Sequence, residues 1–176
     1  MQDIKLIQAS RKDIPNISGL AKIIWNQHYP AIINHEQIAY MLNLMYSEIS
    51  LKEQMETKGH SFFLIQQKTE NIGFISVNLE SKNDWFLNKF YINQELATKG
   101  IGRVAFSELL KIIAPKKITL TVNRQNFKSV NFYFKLGFKI ERIADFDIGN
   151  GYVMNDFVMT WEGSPLISLI HTNTNL

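Results

Sequence analysis

Between residues 84 and 122 the chain reads strand, polar loop, helix, strand. Residues 84–92 (DWFLNKFYI) form an aromatic strand, and residues 100–114 (GIGRVAFSELLKIIA) carry apolar side chains at helical spacing until Pro115 closes the run. Residues 117–122 (KITLTV) alternate as a second strand. If the two strands pair, they pair in parallel with a right-handed crossover, because a twisted strand feeding a helix packs back onto its sheet only that way. This unit predicts a mixed sheet with helices on its faces, an α/β or α+β fold.

The flanking segments supply antiparallel partners. Residues 3–9 read as a first strand. Ser10 and Asp13 then open a helix that runs to about Tyr29, with Ile14, Ile17, Leu20, Ala21 and Ile24 on one face and Pro30 at its end. Asn34 caps a second helix carrying Ile38, Met41, Leu42 and Met45, and a break near Ser47 separates it from a short helix ending at Gly59. Residues 61–66 and 72–79 are strands of a hairpin turning at 68–71. Further on, residues 126–136 form a helix stopped by Gly137, and strands at 138–146 and 152–160 flank the turn 148–151. We expect one domain over residues 1–162 and a partly apolar tail over 163–176. Tail residues Leu166, Ile167, Leu169 and Ile170 suit either a homodimer contact or packing on the parent domain.

At 176 residues a chain buries about 70% of its unfolded surface and can build its own core. There is no Cys, which excludes a disulfide framework, a thiolate metal site and a Cys nucleophile. His60 and His171 show no ligand spacing with other metal-binding residue types, so no metal is expected. No apolar run approaches the ~20 residues that span a bilayer. The opening MQDIKLIQAS alternates and carries charge too early for a secretory leader, so a cytoplasmic protein is expected. The net charge of +3 hides an asymmetry. Residues 97–142 hold ten basic residues against two acidic ones, and the remainder is net negative. A positive middle in a negative chain points to an anionic ligand held there. No nucleic-acid motif accompanies it.

The sharpest local signal is Lys99-Gly100-Ile101-Gly102-Arg103-Val104, after a strand and at the start of a helix. The first-turn amides of a helix lack intrahelical partners, glycines admit an anion close to the backbone, and the helix dipole adds about half a positive charge. A pyrophosphate suits such a loop. The next signal is Asn123 through Phe138, where Asn126, Ser129 or Val130, and Tyr133 share one helix face. Phe127 and Phe134, seven apart on another face, are expected to pack in the core.

Together, Phe90-Tyr91-Ile92, the glycine loop, the strand ending in Val122-Asn123, and residues 126–138 with their FY-x-x-x-GF ending resemble the GNAT superfamily of acetyl-CoA-dependent N-acetyltransferases. The resemblance implies a mixed, mostly antiparallel sheet of about seven strands whose central parallel pair, 84–92 and 117–122, splays into a V with flanking helices. The pantetheine arm of acetyl-CoA would lie in the V against the backbone of Tyr91 and Ile92. The amides of Lys99, Gly100, Ile101, Gly102, Arg103 and Val104 would hold the pyrophosphate. Asn126 and its helix, including Ser129 and Lys135, would contact the cofactor, with Tyr133 near the thioester sulfur. The family's loop usually begins with Arg or Gln three residues before the first Gly; here that position is Ala97.

Acetyl transfer needs a deprotonated amine, a polarised thioester carbonyl and a stabilised departing thiolate. The amide of Ile92 suits the carbonyl, and the hydroxyl of Tyr133 suits the thiolate. Absence of Cys means direct attack by the amine, with no acetyl-Cys intermediate. Candidates for the base are Asp145, Asp147, Asp156, Glu95, His28 and His35. Trp25, Tyr29, Tyr40, Trp85 and Tyr152 with Asp145, Asp147 and Asp156 would make an aromatic, acidic pocket for a small cationic amine. The last strands (ADFDIGNGYVMNDFVM) are similar to those of bacterial small-amine and polyamine acetyltransferases. A protein or peptide acceptor, and a non-catalytic acetyl-CoA sensor, remain the alternatives.

Overall fold

The structure is a computed structural model that describes residues 3–163. Strand β1 (Ile4–Gln8) leads through a short 3-10 turn into α1 (Ile14–His28). A second 3-10 turn, Tyr29–Ala31, precedes α2 (His35–Tyr46) and α3 (Glu48–Glu56). The chain continues through β2 (Ser61–Gln67), β3 (Glu70–Ser81), β4 (Asp84–Ile92), α4 (Ile101–Ile113), β5 (Lys117–Asn123), α5 (Phe127–Leu136), β6 (Lys139–Asp147) and β7 (Val153–Glu162). The seven strands form one sheet in the order β1-β2-β3-β4-β5-β7-β6. All neighbours are antiparallel except β4 and β5.

That parallel pair is short. Its register runs only from Asp84↔Lys117 to Phe86↔Thr119. Two features of β4 turn it away beyond that point. Its register against β3 passes from Val77↔Leu87 to Ser76↔Lys89, so Asn88 is an extra, bulged residue that bends the strand. Further on, β3 approaches β4 so closely that a Cβ on Gly73 would stand 2.2 Å from the Tyr91 carbonyl oxygen. Meanwhile β5 keeps full register with β7, from Lys117↔Glu162 to Asn123↔Asp156. The two central strands therefore part, as the sequence resemblance implies.

Caps set the helix ends. Asn34 Oδ1 accepts from the Gln37 amide at 2.8 Å, and Ser47 Oγ from the Ser50 amide at 3.4 Å, so the break near Ser47 is real. Gly137 stops α5 at φ 97°, a left-handed conformation that glycine adopts without strain. The first hairpin turns more tightly than the sequence suggests, since β3 already starts at Glu70 and Lys68 takes φ 56°.

Two apolar layers cover the sheet. One joins α4 and α5 to the sheet through Ile101, Ala105, Phe106, Leu109, Val130 and Phe138, among others. The other joins α1, α2 and α3 through Ile17, Ala21, Ile24, Trp25, Met41 and Leu51, closing on Phe62 and Phe74. The expectation that Phe127 and Phe134 pack in the core fails: they are 70% and 45% exposed. Asn126, Val130 and Tyr133 are the buried face of α5 instead. Helical spacing identifies two faces, but the position of α5 beside the V decides which turns inward. The tail residues Leu166, Ile167, Leu169 and Ile170 lie outside the described residues.

One core residue is a cation. Lys89 is buried, donates to Gln54 Oε1 at 2.6 Å, and lies 5.4 Å from the ring centre of Tyr46. Burial first, then the field of Lys58, lowers its pKa to about 8. The folded state thus holds this proton less tightly than the unfolded chain, and stability should rise as pH climbs from about 8 towards the ordinary lysine value. Comparing melting curves between pH 7 and 9.5 should show a smaller alkaline gain in Lys89→Met than in the wild type. A Gly73→Ala substitution should cost about 1–3 kcal/mol in urea unfolding, because the new methyl must push β4 away from β3.

Candidate active site

Beyond Phe86, β4 and β5 bound an open notch at the carboxyl end of β5. Alternation along β4 sends Phe90 and Ile92 to the α4–α5 layer and Tyr91 to the α1–α3 layer. Helix α4 begins beside the notch. Its cap, Gly100, has φ 92°, and a Cβ there would meet nothing within 4 Å, so glycine serves the backbone and leaves the approach open. The Gly100 carbonyl accepts from the amides of Arg103 (3.1 Å) and Val104 (3.3 Å), closing the first turn. Gly102 has a different reason: a Cβ would lie 2.9 Å from the Phe132 ring, so this glycine lets α4 and α5 pack closely. Ile101 is a core side chain, Arg103 is exposed and Val104 half-buried, so the loop would act on an anion chiefly through its backbone and Arg103. Ala97 packs against the α4–α5 layer.

Asn126 caps α5, accepting from the Ser129 amide at 3.2 Å. The same Oδ1 lies 3.1 Å from His28 Nε2. Because that oxygen is already an acceptor, the contact bonds only if His28 Nε2 carries the hydrogen. Burial, with a smaller contribution from Lys128, lowers the His28 pKa, so the neutral Nε2–H tautomer prevails at pH 7. This bond ties the end of α1 to the start of α5 across the notch.

An aromatic cluster fills the α1–α3 side. Trp25 stacks on Tyr29 with ring centres 4.1 Å apart, and Tyr91 lies 6.1 Å from Trp25 and 6.2 Å from Tyr46. The Tyr29 and Tyr91 hydroxyls are 3.4 Å apart. Tyr133 reaches towards the same region from α5; burial, then the field of Tyr29, raises its pKa well above the ordinary value, so it holds its proton. Asp156 on β7 sits opposite Asn123 in the register and is only 2% exposed. Burial raises its pKa to about 6, against a lowering hydrogen bond from Thr121 and the field of Arg124. Its Oδ1 has no hydrogen-bond partner among the described residues.

The structure gathers Trp25, Tyr29, Tyr91, Asn126, Tyr133 and Asp156 around the notch. The other expected acceptor residues stand apart. Trp85 packs in the α4–α5 layer on the paired part of β4, at the closed end of the V. Tyr152 packs on Tyr40, whose hydroxyl donates to the Ile148 carbonyl at 2.7 Å, so this pair pins the last turn to α2. Asp145 is exposed and takes Arg124 at 2.7 Å and the Asn155 amide at 2.9 Å. Asp147 is exposed and accepts from the Gly149 amide. Glu95, His35 and Lys135 are exposed. A polar cleft of about 590 Å³ opens nearby, lined by Asn34, Gln37, Asn123, Arg124, Gln125 and Asn155 among others. The His28–Asn126 bond was not foreseen; His28 stands four residues after the inward-facing Ile24, which was the available signal.

The family model of the acetyltransferase (GNAT) domain matches residues 31–147. The chain belongs to the GNAT acetyltransferase family. It is 30% identical over 145 residues to spermidine N(1)-acetyltransferase of Thermoplasma acidophilum, covering 78% of this chain and 89% of that protein. It also matches the crystal structure of the PaiA N-acetyltransferase from the same organism in complex with coenzyme A, at 26% identity and TM-score 0.75, covering 92% of this chain and 99% of that one. The fold is shared with the spermidine/spermine N-acetyltransferase SpeG of Vibrio cholerae, at 19% identity and TM-score 0.65, covering 95% and 98%. This GNAT protein is therefore an acetyl-CoA-dependent N-acetyltransferase.

The open cradle above Gly100 and the parted strands fit a long cofactor with a charged end. Gly100→Ala should raise the acetyl-CoA dissociation constant and cost about 1–2 kcal/mol of stability from the left-handed backbone alone, since no atom blocks the methyl. Isothermal titration alongside urea unfolding measures both.

Proposed function

We propose that this acetyltransferase acts on a primary amine of a small cationic molecule of the polyamine type, by direct attack on the acetyl thioester. The observation that carries this reading is the aromatic cluster beside the notch, where the rings of Trp25, Tyr29 and Tyr91 pack together and the buried carboxyl of Asp156 acts on Tyr29 through its field. Aromatic faces and a carboxylate attract an ammonium by cation–π contact and charge. The similarity to a spermidine N(1)-acetyltransferase supports the same acceptor class. Asp145, Asp147 and Tyr152 stand further out on the β6–β7 hairpin and would meet only a distal part of the acceptor. A cytoplasmic setting belongs to this reading.

Acetyl-CoA supplies the activated acetyl group. Its arm would lie in the notch against the backbone of Tyr91 and Ile92, and the Ile92 amide would polarise the carbonyl. Amides of the loop Lys99, Gly100, Ile101, Gly102, Arg103 and Val104 would receive the pyrophosphate, those of Ile101, Arg103 and Val104 by sharing hydrogens that they also give to the Thr98 and Gly100 carbonyls. Asn126, Ser129 and Lys135 would border the rest. Tyr133, held protonated by burial, would donate to the departing sulfur. Fixing both reactants in line can supply about 7–11 kcal/mol of the barrier reduction.

An amine panel with mass detection of an added acetyl group tests the acceptor. Polyamines should be acetylated faster than neutral-tailed amines or peptide N-termini. Acetylation of peptides alone would replace the acceptor class, and acetyl-CoA-induced stabilisation without any acetylated amine would make the protein a sensor. Tyr133→Phe should lower kcat about 10²-fold or more while leaving acetyl-CoA affinity near the wild-type value. Unchanged kcat would remove Tyr133 from the chemistry.

A further inference from the structure

We propose that Asp156 is the group that receives the acceptor ammonium and takes its proton. The inference rests on the acetyltransferase reading of the notch and adds the base that the sequence left among six candidates.

The argument begins with strand alternation. On β7, Met154 belongs to the α1–α3 layer and Val158 is 4% exposed, so the position between them is one where an apolar side chain would pack. Asp156 occupies it instead. A buried carboxylate is costly unless it is paired and hydrogen-bonded. Thr121 on β5 lies near enough to lower its pKa, and Oδ1 has no hydrogen-bond partner among the described residues. Nor does any described cation pair with it. Arg124, the cation whose field acts on it, is bound to Asp145 at 2.7 Å. The other titratable groups that act on Asp156 are Asp145 from β6 and Tyr29 from the turn after α1. Tyr29 in turn touches Tyr91. The orphaned oxygen thus lies at the end of β5, on the side where the tyrosines border the notch. A donor with positive charge would complete it.

The proton balance is simple. The ammonium enters as an ion pair with the Asp156 carboxylate. One N–H bond breaks and one Oδ1–H bond forms, leaving a neutral amine and a neutral carboxylic acid. Two buried charges vanish together, which a site of low dielectric favours over an ion pair in water. The amine lone pair then forms the N–C bond as the C–S bond breaks; the second N–H proton of the attacking nitrogen replaces, through water, the one that Tyr133 gives the departing sulfur, and the proton on Oδ1 passes to solvent after the product leaves. Burial, which raises the Asp156 pKa to about 6, makes this carboxylate a better proton acceptor while keeping it ionised at pH 7 and above.

The test pairs kinetics with stability. For the best amine of the panel, kcat/KM of the wild type should rise with pH to an apparent pKa of about 6. Asp156→Asn should lose 10²-fold or more in kcat/KM, lose that acidic limb, and keep the acetyl-CoA thermal shift. Because the folded-state pKa is raised above the unfolded value, the wild type loses stability as pH rises from about 4 to 6. Asp156→Asn should therefore melt at a higher temperature than the wild type above pH 6, with the gap closing below pH 4. A lower melting temperature for the variant at pH 7.5 would make Asp156 a structural hydrogen-bonding residue and overturn the proposal. So would an active wild type whose kcat/KM survives the substitution. A wild type that binds acetyl-CoA but acetylates no amine would instead overturn the acceptor reading, and the role of Asp156 with it.

Discussion

The parallel contact between β4 and β5 lasts three residue pairs, and the proposed site depends on where it stops. The bulge at Asn88 bends β4, and the close approach at Gly73 holds its far end against β3. β5 meanwhile is held by β7 along its whole length. Two strands anchored to different neighbours leave backbone groups unpaired between them. In the middle of a sheet such groups must find a partner, and a bound ligand with amide groups of its own is one way to satisfy them.

The layers on the two faces meet at this opening. Helix α5 comes from one face and brings Asn126 and Tyr133; the end of α1 comes from the other and brings Trp25, His28 and Tyr29. The bond from His28 Nε2 to the Asn126 cap joins them. One oxygen therefore both caps the start of α5 and holds it to the end of α1. The basic residues are concentrated in 97–142, whereas the buried carboxyl of Asp156 lies outside that stretch. That division suits a phosphate-rich donor and a cationic acceptor arriving from opposite directions.

Much of the cofactor half was legible because it is local. Gly100 opening a helix, Asn126 three residues before the amide it caps, and Gly137 ending α5 are all set within a few residues of chain. The proposed acceptor half was not, because its residues converge from α1, β4, β5 and β7. Trp85 and Tyr91 read alike, as aromatics of one strand, yet the first lies where β4 is paired and the second where it is free. Asp145 and Asp156 read alike as strand acids. One is exposed and bound to Arg124, and the other is buried without a cation. Phe127 and Phe134 were misread because hydrophobicity alone does not say which side of a helix meets the sheet.

The sequence by itself determined the element order, most of the helix ends, the need for a parallel crossover and the exclusion of an acetyl-Cys intermediate. These follow from short-range sterics, hydrogen bonding and composition. Only the tertiary structure decided that β7 lies between β5 and β6, which face of α5 is buried, and that Asp156 Oδ1 is left without a hydrogen-bond partner among the described residues. Those outcomes depend on contacts between residues far apart in the chain. Burial and pairing, which set the charge state and reactivity of a side chain, exist only once those contacts have formed.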